Sequence, residues 1–127
     1  GEIMKLSVRL ALETLQNIEE LKELITKENF GELTITNGFV VNQAFRETIG
    51  ITDWEKIIQE TTPLVQKKFG KLEDTPLKTN LTINDDTKSF IDELKKEFPK
   101  YTDTNYVTVS YIIRIVVRAA LLNRLRK

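Results

Sequence analysis

The chain has no cysteine and no histidine among its 127 residues, and its formal charge sums to zero. Without cysteine there is no disulfide staple, no thiolate metal site and no cysteine nucleophile. Without histidine the commonest metal ligand and general base is missing, so zinc chemistry and a Ser-His-Asp arrangement are excluded within this chain. Only carboxylates and lysines are left for catalysis. Carboxylates are plentiful but none stands at a catalytic spacing, and the segment KKFGKLED lacks the Walker pattern. An enzyme is therefore not expected, nor is a cofactor or a metal.

Proline and glycine are scarce, at three and five residues, and no stretch has the composition of a disordered tail. Long apolar runs are missing too. The longest, YIIRIVVRAALL at residues 111–122, is too short to span a bilayer and carries Arg114 and Arg118 within it. The first ten residues do not resemble a signal peptide, so a cytoplasmic protein without membrane contact is expected.

What is present fits one ordinary domain: 40% hydrophobic and 30% charged residues in a chain short for two independent units. The charge is unevenly spread. Residues 1–50 hold five basic against eight acidic side chains, residues 51–76 four against five, and residues 77–127 ten against six. Overall neutrality weighs against a nucleic-acid partner, and the basic last part softens that objection.

An internal repeat organises the chain. KLSVRLALETLQNIEELKELI from Lys5 overlays KTNLTINDDTKSFIDELKKEF from Lys78 with a shift of 73. Lys5 then meets Lys78, Thr14 meets Thr87, and Ile18 to Lys22 meet Ile91 to Lys95. With a shift of 72, TNGFVVNQAFR at residues 36–46 overlays TVSYIIRIVVR at residues 108–118, so that Thr36 meets Thr108 and Arg46 meets Arg118.

Each half reads as strand, helix, polar loop and a more apolar helix. The strands alternate strictly: Leu6, Val8 and Leu10 point one way and Lys5, Ser7 and Arg9 the other, with Leu81 and Ile83 against Lys78, Asn80 and Thr82 in the second half. The first helices carry apolar residues at helical spacing, Leu15, Ile18, Leu21 and Ile25 in one, Ile91, Leu94 and Phe98 in the other. Asn84 is an expected N-cap before Asp85 and Asp86, and Pro99 an expected stop. The second helices are expected over about 37–49 and 109–125. Between the halves, Thr52 and Glu55 have the spacing of a capping box for a helix to about Thr61, and Pro63 opens a second short helix. Trp54, Ile57, Ile58, Leu64, Val65 and Phe69 make this connector apolar enough to pack. The division expected is residues 1–50, a helical connector at 51–76, and residues 77–127, intertwined as one domain.

A six-residue strand leaves its ladder groups unpaired, so the two are expected to pair as an antiparallel ribbon. Strand, helix and apolar helix, occurring twice, resemble the ribbon-helix-helix (Arc/MetJ/CopG-like) family. SVRLALETLQNIEEL resembles its strand-to-helix passage, and SYIIRIVVR at residues 110–118 resembles its second helix. GFVVNQAFR at residues 38–46 follows that pattern more loosely, with Gly38 where serine is usual and Asn42 where arginine is usual. The resembling stretches cover about 80% of the chain. Two units in one chain are similar to the rarer TraY-type plasmid-transfer arrangement. The fold implied is mainly α with a short two-stranded β-ribbon, a tandem pseudo-dimer with a helical connector. The ribbon closes within one chain or by strand exchange between two.

The family resemblance implies double-stranded DNA as partner, with the ribbon in the major groove. The base-reading set would be Lys5, Ser7, Arg9, Lys78, Asn80 and Thr82, whose side chains suit base edges: Arg and Lys for guanine, Asn for adenine. The backbone amides of Asn37, Gly38, Val109 and Ser110 would hold phosphates at the second helices' N-termini. A repressor, or an accessory factor of mobile DNA self-associating on adjacent sites, is the function implied. The alternative is a protein-interaction module, antitoxin-like or a helical adaptor, with little DNA affinity. The blander reading of Lys5 and Arg9 is edge protection of a strand. Arg114 and Arg118, four apart on one helix face, pair with carboxylates or reach solvent, with direct phosphate contact the less favoured reading. Arg124, Arg126 and Lys127 form a basic tail that meets DNA or a helix terminus.

Overall fold

Strict alternation in two short segments produces the only sheet among the described residues. In the computed structural model, which describes residues 3–29, 31, 34–60, 62, 64 and 76–126, strand β1 spans Ile3–Leu10 and β2 spans Leu77–Asn84. They pair antiparallel within one chain, with Ser7 across from Asn80 at the middle. Each strand has eight residues, longer than the alternating cores Lys5–Leu10 and Lys78–Ile83 because pairing continues to Ile3↔Asn84 and Leu10↔Leu77.

The other regular elements among the described residues are helices: α1 Leu12–Glu28, α2 Asn37–Glu47, α3 Trp54–Gln59, α4 Asp85–Glu97, α5 Pro99–Thr102 and α6 Val109–Leu125. Their ends follow local chemistry. Helix α1 starts directly behind β1 with Ala11 as an N-cap that offers no side-chain acceptor, and Glu13 in the first turn complements the helix dipole instead. At its C-terminus the Asn29 side chain donates to the Ile25 carbonyl at 2.8 Å. Gly31, at φ +76°, then turns the chain back and donates its N–H to the Thr26 carbonyl.

Helix α2 stops at Glu47, two residues before the expected 49. The Thr48 hydroxyl donates back to the carbonyls of Ala44 and Phe45, satisfying two groups that further helix would have used. Asn84 does precede α4, but its side chain makes no capping bond. Pro99 is both stop and start, since α4 ends at Glu97 and Pro99 is the first residue of α5. The Thr52–Glu55 capping box does not form: α3 begins after Asp53, which puts the cation Lys56 where the box needs a carboxylate. The helix expected from Pro63, together with Val65 and Phe69, lies outside the described residues.

The core lies between the ribbon's dry face and the helices, with α6 at its centre. Ile112, Ile113, Ile115, Val116, Val117, Ala119, Ala120 and Leu121 of α6 are buried, facing Val40, Val41, Ala44 and Phe45 of α2. Leu10, Leu81 and Ile83 close it from the ribbon side, and Ile18, Leu21, Ile91 and Leu94 from α1 and α4. Each such large aliphatic side chain contributes about 1.5–3 kcal/mol by leaving water. The described part of the connector is docked: Trp54 is buried with its ring edge-on to Phe98 at 5.3 Å, and Ile57, Ile58 and Leu64 pack against the core. No helix among the described residues is long and apolar enough to cross a membrane.

Candidate nucleic-acid interface

Period 2 determines which side chains share the ribbon's wet face. The register joins Lys5 to Thr82, Ser7 to Asn80 and Arg9 to Lys78 as directly opposed pairs, and all six residues are exposed. The six side chains named from the sequence thus form one contiguous patch. With a rise of about 3.4 Å per residue and strands about 5 Å apart, the three pairs cover a strip roughly 14 Å long. A strip that narrow is within the dimensions of a B-DNA major groove, about 12 Å wide.

Neither strand contains an acidic residue. Lys5, Arg9 and Lys78 form no ion pair with any described residue, and Arg9 stands directly opposite Lys78. Opposed like charges cost a few tenths to about 1 kcal/mol. No ion pair with a described residue stands against that cost.

The second helices start alike. Thr36 precedes α2 and accepts the Phe39 N–H at 3.1 Å; Thr108 precedes α6 and accepts the Tyr111 N–H at 3.1 Å. Each cap engages only the third amide of its helix, so the amides of Asn37 and Gly38, and of Val109 and Ser110, lie outside the caps. Gly38 is buried against β2, whereas Asn37, Val109 and Ser110 are half-buried. Burial pushes the Tyr111 phenol above its ordinary value, with Arg114 opposing, so Tyr111 remains a protonated donor at neutral pH.

Lys22 belongs beside this group. Its ammonium donates to the Asn37 side-chain oxygen at 2.8 Å and to Glu19 at 3.2 Å, bringing a cation to the start of α2. Asn37 lies fifteen residues further on, and only the packing of α1 on α2 brings the two together.

The departures at Gly38 and Asn42 have a structural cause. Gly38 presses on the backbone of Thr82. The Asn42 amide donates to the Thr82 carbonyl at 3.1 Å, and its oxygen accepts from the Asn84 N–H at 3.1 Å and the Thr87 hydroxyl at 2.7 Å. Helix α2 is thereby fastened to the β2–α4 junction. At the other junction Arg114 of α6 donates to Glu13 in the first turn of α1, at 3.0 Å.

Arg118 is buried, donating to Glu13 at 3.0 Å and to the Thr62 carbonyl at 2.6 Å, with Glu60 at 4.0 Å, while its Nε has no partner among the described residues. Of the readings open for Arg114 and Arg118, pairing with a carboxylate is the one observed. Arg124 likewise pairs with Glu47 at 2.6 Å and with Glu28. Burial opposes its charge, but the Glu47 hydrogen bond and both carboxylates outweigh that and raise its pKa. This part of the basic tail ties helix ends together; Arg126 is exposed, and Lys127 lies outside the described residues.

No family model matches the chain, and neither a curated protein nor a solved structure does.

Proposed function

We propose that this chain is a tandem ribbon-helix-helix protein, a single-chain pseudo-dimer whose ribbon reads double-stranded DNA in the major groove. It acts as a transcriptional repressor or as an accessory DNA-binding factor of a mobile element. The observation that carries the reading is the ribbon's wet face: three cations with no acid, two directly opposed, on a strip of groove width. Phosphate groups would repay the local repulsion that the fold itself leaves in place.

Two further observations support the tandem arrangement. The shift of 73 that aligns the halves takes Ser7 to Asn80, and these two face each other at the ribbon's midpoint. Each second helix also engages the junction that belongs to the other half, Asn42 at Asn84 and Thr87, and Arg114 at Glu13.

In this reading Arg9 and Lys78 donate to guanine, Asn80 pairs with adenine, and Lys5, Ser7 and Thr82 complete the set. The amides at the starts of α2 and α6, with Lys22 at the former, hold the flanking phosphates. Selection from a random duplex pool tests it, with the Arg9→Ala/Asn80→Ala variant in parallel. The wild type should enrich a motif, and the variant should lose it while keeping salt-sensitive background binding. If neither protein retains DNA at low salt, the reading fails and the wet face is edge protection or a protein contact.

A further inference from the structure

The wet face does not end alike at its two ends. Beyond Arg9 and Lys78 the ladder closes with Leu10↔Leu77, on the parity of the dry face, where Leu10 is buried and Leu77 is 51% exposed, so the wet face itself finishes in two cations at that end. Beyond Lys5 and Thr82 it continues to one more outward pair, Ile3↔Asn84. Asn84 is half-buried and committed through its N–H to Asn42. Ile3 is 67% exposed, an aliphatic side chain in line with Lys5, Ser7 and Arg9. The shift of 73 would set Pro76 in its place on the other strand, and Pro76 precedes β2. The apolar end is therefore present once.

We infer that Ile3 is a specificity-determining residue that packs on the C5-methyl group of thymine, so the ribbon binds an asymmetric duplex in one orientation. The inference rests on the DNA-binding reading above. The thymine methyl is the apolar feature of the major-groove edge code, and Lys5, the next outward residue on β1, favours a polyanion over an apolar protein surface, although Asp85 and Asp86 follow Asn84 at this end. Ile3 and Arg9 are six residues apart in β1, roughly 20 Å at strand rise. At about 3.4 Å per base step, the thymine lies about five to six base pairs from the guanine under Arg9.

The test uses the full chain and its selected duplex, with each thymine replaced singly by deoxyuridine, and binding followed by fluorescence anisotropy. One replacement, on the side away from the guanine contact, should weaken the wild type by about fourfold, the worth of one buried methyl. Ile3→Ala should bind the unmodified duplex more weakly and be indifferent to that uridine. Thermal melts check that the variant is folded, and the uridine series needs no variant at all. If every uridine duplex binds the wild type unchanged, or Ile3→Ala still discriminates the same uridine, the inference is overturned while the DNA reading stands. Should Ile3→Ala change the sedimentation coefficient of the free protein and leave discrimination intact, Ile3 is a protein contact and the inference again fails. A wild type that selects no motif overturns both.

Discussion

Gly38 lies so close to Thr82 that a Cβ on it would fall 2.7 Å from the Thr82 carbonyl oxygen and 3.0 Å from its nitrogen. These neighbours are strand backbone, held by pairing with Lys5, and do not move aside as a flexible side-chain tip would. Alanine normally gains up to about 1 kcal/mol over glycine within a helix. Here overpacking, typically about 1–3 kcal/mol, opposes that gain and wins. Gly38→Ala is expected to lower stability by about 1–2 kcal/mol, read as a drop in the urea midpoint at unchanged slope. A variant as stable as the wild type would mean that α2 is free to back away from the ribbon.

Asn42 supplies one donor and two acceptor bonds to β2 and the start of α4. Truncating it leaves the Thr87 hydroxyl, on a residue only 3% exposed, without its acceptor. Asn42→Ala should cost about 1–3 kcal/mol. Thr87→Val removes the stranded hydroxyl, so the double variant should lose less than the two singles together. A double-mutant cycle from urea melts decides it, and strict additivity would show that the two side chains are not coupled.

How much of this was legible in advance depended on how local each signal is. The ribbon was, because alternation in KLSVRL and KTNLTI is a property of consecutive residues, and it put Lys5, Ser7, Arg9, Lys78, Asn80 and Thr82 on one exposed face. The apolar spacing of α1, α4 and α6 was equally readable. Asn42 stood out only as a departure from a pattern, since its partners lie forty or more residues away. Glu13 gave no sign of its role: it meets Arg114 and Arg118 across more than a hundred residues, through packing that no short pattern encodes. The capping box failed by a single residue, because Asp53 displaced the start of α3. Ile3 was passed over because the strand was read from Lys5.

The Glu13–Arg118 pair sets a test of sign. Arg118 is 3% exposed, with Glu13 as its nearer carboxylate at 3.0 Å and the exposed Glu60 at 4.0 Å, while Arg114 holds Glu13 from a more exposed position. Removing the nearer carboxylate leaves a buried cation with only the exposed Glu60 at 4.0 Å among the described carboxylates, and losses on fully stranding a buried charge run to about 3–5 kcal/mol. Removing Arg118 leaves Glu13 paired with Arg114. Glu13→Ala is therefore expected to destabilise by about 2–3 kcal/mol, less than a fully buried pair because Glu13 is partly open to water. Arg118→Met should cost less than Glu13→Ala. Urea melts of the two variants check the order, and the reverse order would mean that the Arg118 bond to Thr62, which anchors the connector, matters more.

Lys22 and Arg9 should fail in different ways if the ribbon reads DNA. Lys22 stands at the start of α2, 2.8 Å from the Asn37 side chain, where the proposed docking would bring a phosphate and not a base edge. Lys22→Ala should weaken selected and random duplexes by the same factor and reduce the salt slope of binding by about one unit. Arg9 belongs to the wet face, and Arg9→Ala should lose about 1–3 kcal/mol of discrimination at one guanine position. Its effect on random duplex should be smaller. Anisotropy titrations at several salt concentrations, on the selected duplex and on a scrambled one, separate the two. If Lys22→Ala instead changes base preference at a fixed salt slope, α2 does not hold the backbone and the docking geometry of the ribbon must be redrawn.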